Sequence, residues 1–186
     1  DDAALLRRVI KETCTRYGYE ATFMAKPFLE ETGNGMHLHI SVYDDDEKNI
    51  FATTSRYGND YLKSAIAGLQ STFYDSFPIF IPNRNGYRRI KAGNFVPVNT
   101  SWSWNRRDVS LRIPAGSNKA KRIEHRAASA DANPYLVLAC VLAGLHNGLT
   151  NKLRPTNFVN FDNTKGADSI VDDEMPTNLE SSLNKF

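Results

Sequence analysis

Arg122-Ile123-Glu124-His125-Arg126 is the stretch from which the rest of this 186-residue chain is best read. As a strand it sets Arg122, Glu124 and Arg126 on one face and Ile123 and His125 on the other, because side chains alternate. A carboxylate between two guanidinium groups suits either a structural salt-bridge ladder or a functional site. A second stretch, Gly33-Asn34-Gly35-Met36-His37-Leu38-His39-Ile40-Ser41-Val42, has the same alternation. Its polar face carries His37, His39 and Ser41, while Met36, Leu38, Ile40 and Val42 make an apolar face suited to a core. Two strands that bury one face and line the other with arginine, carboxylate and imidazole point to a metal–phosphate site.

Outward from these strands, residues 2–17 read as a helix. Leu5, Leu6, Val9, Ile10 and Thr13 fall on one stripe, and Gly18 supplies a stop. Residues 21–28 read as a strand that ends near Pro27, and the Gly33-Asn34-Gly35 turn leads into the histidine strand. Asp44 to Lys48 form a solvated acidic hairpin tip. Residues 59–73 read as a second amphipathic helix, through Tyr61, Leu62, Ala65, Ile66, Leu69 and Phe73. Residues 81–97, rich in Pro, Asn, Gly and Arg, read as irregular loop, where binding groups concentrate. Residues 109–113 and 121–126 read as strands. Residues 134–149 form the most hydrophobic helix, capped by Asn133 with Pro134 in its first turn. Residues 151–173 read mostly as loop, and 178–183 open another helical pattern. Strands and helices without regular alternation favour an α+β fold built on an antiparallel sheet with flanking helices.

Composition narrows the function classes. A hydrophobic fraction of 41%, a charged fraction of 24% and a net charge of +2 are ordinary for a soluble globular domain. They give no argument for a nucleic-acid or membrane partner. No apolar run approaches the ~20 residues that span a bilayer. Cys14 and Cys140 belong to no paired metal spacing and read as buried thiols in a reducing compartment, which fits a cytoplasmic enzyme.

Around the site strands the charges are unbalanced. Arg89, Arg107, Arg112, Arg122 and Arg126 lie within or beside them, with Glu124 the only acid of the group. The planar guanidinium fork matches phosphate and carboxylate oxygens, so this excess suits an anionic substrate. Arg84 and Arg106 read as solvent-facing. Arg112, with apolar neighbours on both sides, reads as partly buried and therefore in need of an anion. His37 and Glu124 are a ligand pair of the type that suits Mg²⁺ or Mn²⁺, although two ligands alone do not hold such an ion.

The turn-and-histidine stretch, Arg112-Ile113-Pro114, the Arg122–Arg126 stretch and Asp131-Ala132-Asn133-Pro134-Tyr135-Leu136 occur in this order with matching spacing. Together they resemble the C-terminal catalytic domain of glutamine synthetase and its γ-glutamyl-amine ligase relatives, over the whole chain. The resemblance implies an oligomeric, ATP-dependent ligase in which His37 and Glu124 hold a divalent ion that bridges ATP phosphates. His39 and Ser41 would contact the nucleotide, and Arg107, Arg112, Arg122 and Lys119 would hold its phosphates, Arg107 and Arg112 catalytically. Gly33 would let the glutamate amino group approach the backbone, and Arg89 with Arg126 would clamp the glutamate α-carboxylate. The implied chemistry is transfer of the γ-phosphoryl group to the glutamate side chain, then attack by an amine on γ-glutamyl phosphate. It also implies that upstream metal-binding glutamates and an N-terminal β-grasp domain are missing here, so that residues 1–186 alone would carry about half a site and no turnover.

The chain departs from the glutamine synthetase pattern at two places. Thr32 stands where an asparagine is usual. Where ammonia-using members carry a Pro-Gly-Tyr-Glu-Ala-Pro flap, this chain reads Ala92-Gly93-Asn94-Phe95-Val96-Pro97. Phe95 replaces a glutamate that would bind and deprotonate ammonium. With Trp102 or Trp104 it suits the alkyl part of an organic amine, as in γ-glutamylputrescine-type ligases. The rival readings are an ammonia-using glutamine synthetase, a phosphagen-kinase-like enzyme, and a scaffold relative without turnover. The last would have no physical need for His37, Glu124, Arg112 and Arg126 together, and the paired histidines do not suit the kinase.

Overall fold

The computed structural model describes residues 2–93, 95–162, 166–167 and 171–186; Asp1, Asn94 of the flap stretch and part of the 151–173 tail lie outside them. The elements run α1 (Asp2–Arg16), β1 (Leu38–Ile40), α2 (Asp60–Ser71), α3 (Phe77–Phe80), α4 (Arg84–Tyr87), β2 (Trp102–Trp104), β3 (Leu111–Ile113), β4 (Ile123–His125), α5 (Pro134–Asn151) and α6 (Leu179–Leu183). A 3₁₀ turn at Asn118–Ala120 precedes β4. The fold is α+β: a four-stranded sheet, order β1-β4-β3-β2, with flanking helices. Its β1–β4 and β3–β4 pairs are antiparallel, and β2–β3 is parallel. Residues 102–104, Trp-Ser-Trp, do alternate in polarity, but three residues are too short a run to mark this fourth strand by pattern.

Alternation does the work expected of it. Leu111, Ile113, Ile123 and His125 are buried on the helix side of the sheet. In register on the opposite face, His39 sits beside Glu124, Glu124 beside Arg112, and Arg112 beside Ser103. Cross-strand neighbours lie about 5 Å apart, so register alone assembles a polar row across the sheet. His125 stacks against Phe80 and Phe73, centroids 4.7 and 5.7 Å away. Complete burial, with the nearby His37 charge adding to it, pushes its pKa down to about 3, so it is a neutral core residue.

Behind the sheet, α2 packs on α5. Asn59 caps α2 by accepting from the Leu62 amide at 3.0 Å, and its side chain also donates to the Ile50 carbonyl. That anchors the face of Leu62, Ala65, Ile66 and Leu69 toward the core. Asn133 caps α5 as expected, and Val137, Val141 and Leu145 meet α2. Glycines let the helix backbones touch: a Cβ on Gly68 would stand 2.0 Å from the Gly144 carbonyl oxygen and 2.5 Å from the Gly148 nitrogen. Gly68→Ala therefore has no rotamer to escape into and should cost about 3 kcal/mol or more in urea unfolding. Gly116→Ala, whose Cβ would meet only Arg122 Nη1 at 3.5 Å, should stay within about 0.5 kcal/mol.

Four local expectations need correction. Residues 81–97 are not wholly irregular, since Arg84–Tyr87 form α4. Residues 21–28 are not a strand. They run as irregular chain, held by the Asn85 side chain, which accepts from the Lys26 amide at 2.7 Å and donates to the Lys26 carbonyl at 2.8 Å. One side-chain amide thus takes the place of a neighbouring strand. Helix α1 forms and stops at Gly18 (φ +75), but it buries no residue, leaving Leu5, Leu6 and Val9 exposed. Cys14 and Cys140 are both free and half-buried rather than fully buried. Among the described residues no helix is long and apolar enough to cross a membrane.

Candidate active site

The polar row of the sheet is built around one carboxylate. Glu124 is 2% exposed. Its Oε1 accepts from Arg126 Nη1 at 2.7 Å and lies 3.0 Å from His37 Nδ1, while its Oε2 accepts from Arg112 Nη1 at 2.8 Å. Burial alone would raise the Glu124 pKa. Hydrogen bonds from His37 and Arg112 and the charges of Arg126 and Arg112 outweigh it and hold the carboxyl well below its usual range. A charge ladder exists, but its second guanidinium is Arg112 rather than Arg122. The cause is cross-strand pairing: Arg112 is the residue of β3 opposite Glu124. Arg112 was expected to need an anion, and Glu124 is that anion. Its other arm donates to Asn105 Oδ1 at 2.7 Å, with Asn105 itself at φ +55.

Arg122 faces His39 instead, its Nε donating to His39 Nδ1 at 3.1 Å. Burial lowers the His39 pKa, Glu124 partly offsets that, and the Arg122 and His37 charges lower it further. A neutral imidazole with an accepting Nδ1 is the form this contact requires. Ser41 Oγ donates to the Lys121 carbonyl at 3.3 Å. Lys119 and Arg107 are exposed, and the Lys119 carbonyl accepts from Asn49 Nδ2 at 3.0 Å. Arg106, read as solvent-facing, is instead tied to Asp108 through both carboxylate oxygens, at 2.9 and 2.6 Å.

On the other side of His37 a cleft of about 560 Å³ opens. Gly33, His37, Arg89, Phe95 and Arg126 all line it, so five of the residues singled out from sequence converge here. Arg89 is the deepest cation, 5% exposed, with Nη2 donating to the Ala127 carbonyl at 2.5 Å. The Nε atoms of Arg89 and Arg126 are buried and have no partner among the described residues. Burial pulls the Arg89 pKa down to about 10, partly offset by the Asp131 charge and reinforced by Arg126; it remains cationic at neutral pH. Two buried guanidinium groups with unused donors make a socket for an anion such as a carboxylate.

The glycine turn owes its composition to that socket. A Cβ on Gly33 would sit 2.7 Å from Arg89 Cγ, and one on Gly35 would sit 2.8 Å from Arg89 Nη1. The glycines let the Arg89 side chain lie flat beneath the turn, a reason that pattern reading did not supply. Lys26 was also missed. It is buried, lines the cleft and donates from Nζ to the Glu31 carbonyl, closing the loop ahead of the turn. A lone lysine before a proline carries no periodic signal, so only its burial reveals it. The two tryptophans do not belong to the cleft. Trp102 is buried against Phe158 at 4.9 Å, and Trp104 packs on Phe161 at 4.9 Å with Arg56 beside it.

A cation beside His37 and Glu124 would find two donors of suitable chemistry already 3.0 Å apart. No third histidine, cysteine or carboxylate joins them among the described residues. Hard divalent ions take about six oxygen or nitrogen ligands, so the pair fits part of such a shell and the rest must come from elsewhere.

The glutamine synthetase catalytic-domain model matches residues 1–186. The chain belongs to the glutamine synthetase family. It is 42% identical over 153 residues to gamma-glutamylputrescine synthetase PuuA of Escherichia coli (strain K12), covering 82% of this chain and 32% of that protein. It is 37% identical over 158 residues to glutamate–isopropylamine ligase of a Pseudomonas species, covering 83% of this chain and 34% of the relative. Glutamine synthetase of Methanocaldococcus jannaschii is 33% identical, across 100% of this chain and 42% of its own length. A solved structure described as apo GmaS without ligand superposes with a TM-score of 0.83 at 29% identity, covering 98% of this chain and 42% of that one. The glutamine synthetase-type fold is therefore shared, and the chain spans about a third to two-fifths of the length of these relatives.

Proposed function

We propose that this chain is the catalytic-domain portion of an ATP-dependent carbon–nitrogen ligase that joins an organic amine, in preference to ammonia, to the side-chain carboxylate of glutamate. The observation that carries the amine reading is Phe95, 64% exposed on the cleft that also holds Arg89 and Arg126. Two of the similar proteins bear names that specify organic amines, putrescine and isopropylamine.

In this reading Arg89 and Arg126 hold the glutamate α-carboxylate in the buried socket, directed by Gly33 and the turn. His37 and Glu124 lie between that socket and the His39–Arg122 edge, so a divalent ion held there would sit between the glutamate and nucleotide sides and neutralise phosphate charge. His39 and Ser41 would meet the nucleotide. Lys119, Arg107 and Arg122, with the remaining donors of Arg112, would take the phosphates. Phosphoryl transfer needs positioning and charge neutralisation more than covalent chemistry from the protein, which accounts for the guanidinium excess. The resulting γ-glutamyl phosphate is then open to attack by an amine entering past Phe95. The remaining metal ligands, the closing domain and a ring-forming partner subunit would come from parts of the polypeptide beyond residues 1–186, acting in the cytoplasm.

Ammonium needs a carboxylate to bind it and to take its proton, and a phenyl ring does neither. An alkylamine brings apolar surface whose burial is worth ~0.8 kcal/mol per methylene. A three- or four-carbon amine should thus be preferred over ammonium by about 30- to 150-fold in kcat/KM. Kinetics of the full-length enzyme with ammonium, putrescine and ethanolamine check this, and Phe95→Glu should move preference toward ammonium. Ammonium as the best substrate of the unmodified enzyme would return the chain to the ammonia-using class.

A further inference from the structure

Phe95 has one wall of the cleft, and the opposing wall is not either tryptophan. We infer that Leu29 is the second specificity-determining side chain, and that the alkyl chain of the amine packs between Leu29 and Phe95. The inference rests on the organic-amine reading above and adds the residue that reads chain length.

Three observations carry it. Leu29 and Phe95 come from segments far apart in sequence, yet both line the same cleft. Both keep more than half their surface exposed, 55% and 64%, so neither is spent on the core. The same cleft divides by chemistry: its buried guanidinium groups, Arg89 and Arg126, claim an anionic end, which leaves the apolar pair for whatever non-ionic portion a ligand brings. Phe28, equally exposed but outside the cleft lining, supplies an internal contrast. Glu30 and Glu31, which follow Leu29, are exposed and line the same cleft, so they draw any cation, ammonium included, and the apolar pair is left to discriminate by chain length.

The test is the slope of kcat/KM along methyl-, ethyl-, propyl- and butylamine, measured on the full-length enzyme. Removing apolar surface from water at ~0.8 kcal/mol per methylene gives about a fourfold gain for each added carbon. Leu29→Ser should flatten this to about twofold or less, Leu29→Met should keep it, and Phe28→Ser should leave it as in the parent. Leu29→Trp, which fills the gap instead of opening it, should shift the optimum to shorter amines. Because the slope compares substrates within one variant, a general loss of folding or turnover cancels. A parental slope in Leu29→Ser, or the same optimum in Leu29→Trp, overturns the role of Leu29 while leaving the amine reading intact. An unmodified enzyme that prefers ammonium and shows no slope overturns both.

Discussion

Glu124→Gln in the full-length protein should abolish ligase turnover and also destabilise the fold by about 3 kcal/mol, because it leaves one buried and one half-buried guanidinium group without their counter-charge. Arg112 and Arg126 both end on this carboxylate, and neither can move into water without disrupting β3 or β4. The sequence left a salt-bridge ladder and a functional site both open for this residue; the geometry gives it two arginine partners. The pH dependence follows from the same contacts. The Glu124 pKa is depressed on folding, so its contribution is fully present above the ordinary carboxylate value of 4.5 and is lost as pH falls below it toward the folded-state pKa. The acid limb of the stability profile should therefore be shallower in Glu124→Gln than in the parent. Urea titrations from pH 3 to 7 measure both effects. Unchanged stability, with turnover lost, would mean that the carboxylate serves the metal alone and that the flanking arginines find other partners.

Arg89→Met should act in the opposite sense on stability. Arg89 is a buried cation whose Nη2 donates to a neutral carbonyl; burial outweighs the favourable Asp131 charge, and Arg126 repels it. Methionine keeps the aliphatic stem that packs under Gly33 and removes the desolvated charge. Thermal stability should hold or rise, as happens when strained binding groups are replaced by apolar ones. Loss of a desolvated charge-assisted pair to substrate costs about 2–5 kcal/mol, so kcat/KM for glutamate should fall by about 30-fold to several thousand-fold. Paired calorimetry and glutamate kinetics decide it. A marked loss of stability with glutamate affinity retained would make Arg89 a structural residue and leave the socket without its deepest cation.

The two substitutions separate what is held together from what is held ready. Glu124 is satisfied on both oxygens by His37, Arg112 and Arg126, so the folded chain already uses it in structure. Among the described residues, the buried Nε donors of Arg89 and Arg126 have no partner. Such donors are costly in an empty protein and useful in one that binds carboxylates.

Period-two alternation fixed the faces of β1, β3 and β4, because one face had to reach a core of Phe73, Phe80 and Leu69. The same signal placed His37, His39, Arg112, Glu124 and Arg126 on the site side, and an amphipathic stripe over 59–73 and the cap residue Asn133 marked the two helices that back the sheet. Those are local properties, written in neighbouring residues. Which arginine meets Glu124 was not local: it depended on β3 pairing with β4 in the register that sets Arg112 opposite. The parallel strand β2, the Asn85 clasp on Lys26, the burial of Trp102, and Leu29 facing the same cleft as Phe95 were likewise absent from any pattern. Strand β2 joins its near neighbour β3 by parallel backbone pairing, and the other three join segments tens of residues apart through side-chain contacts or loop placement. Such contacts carry no periodicity, so only the folded chain brings them together.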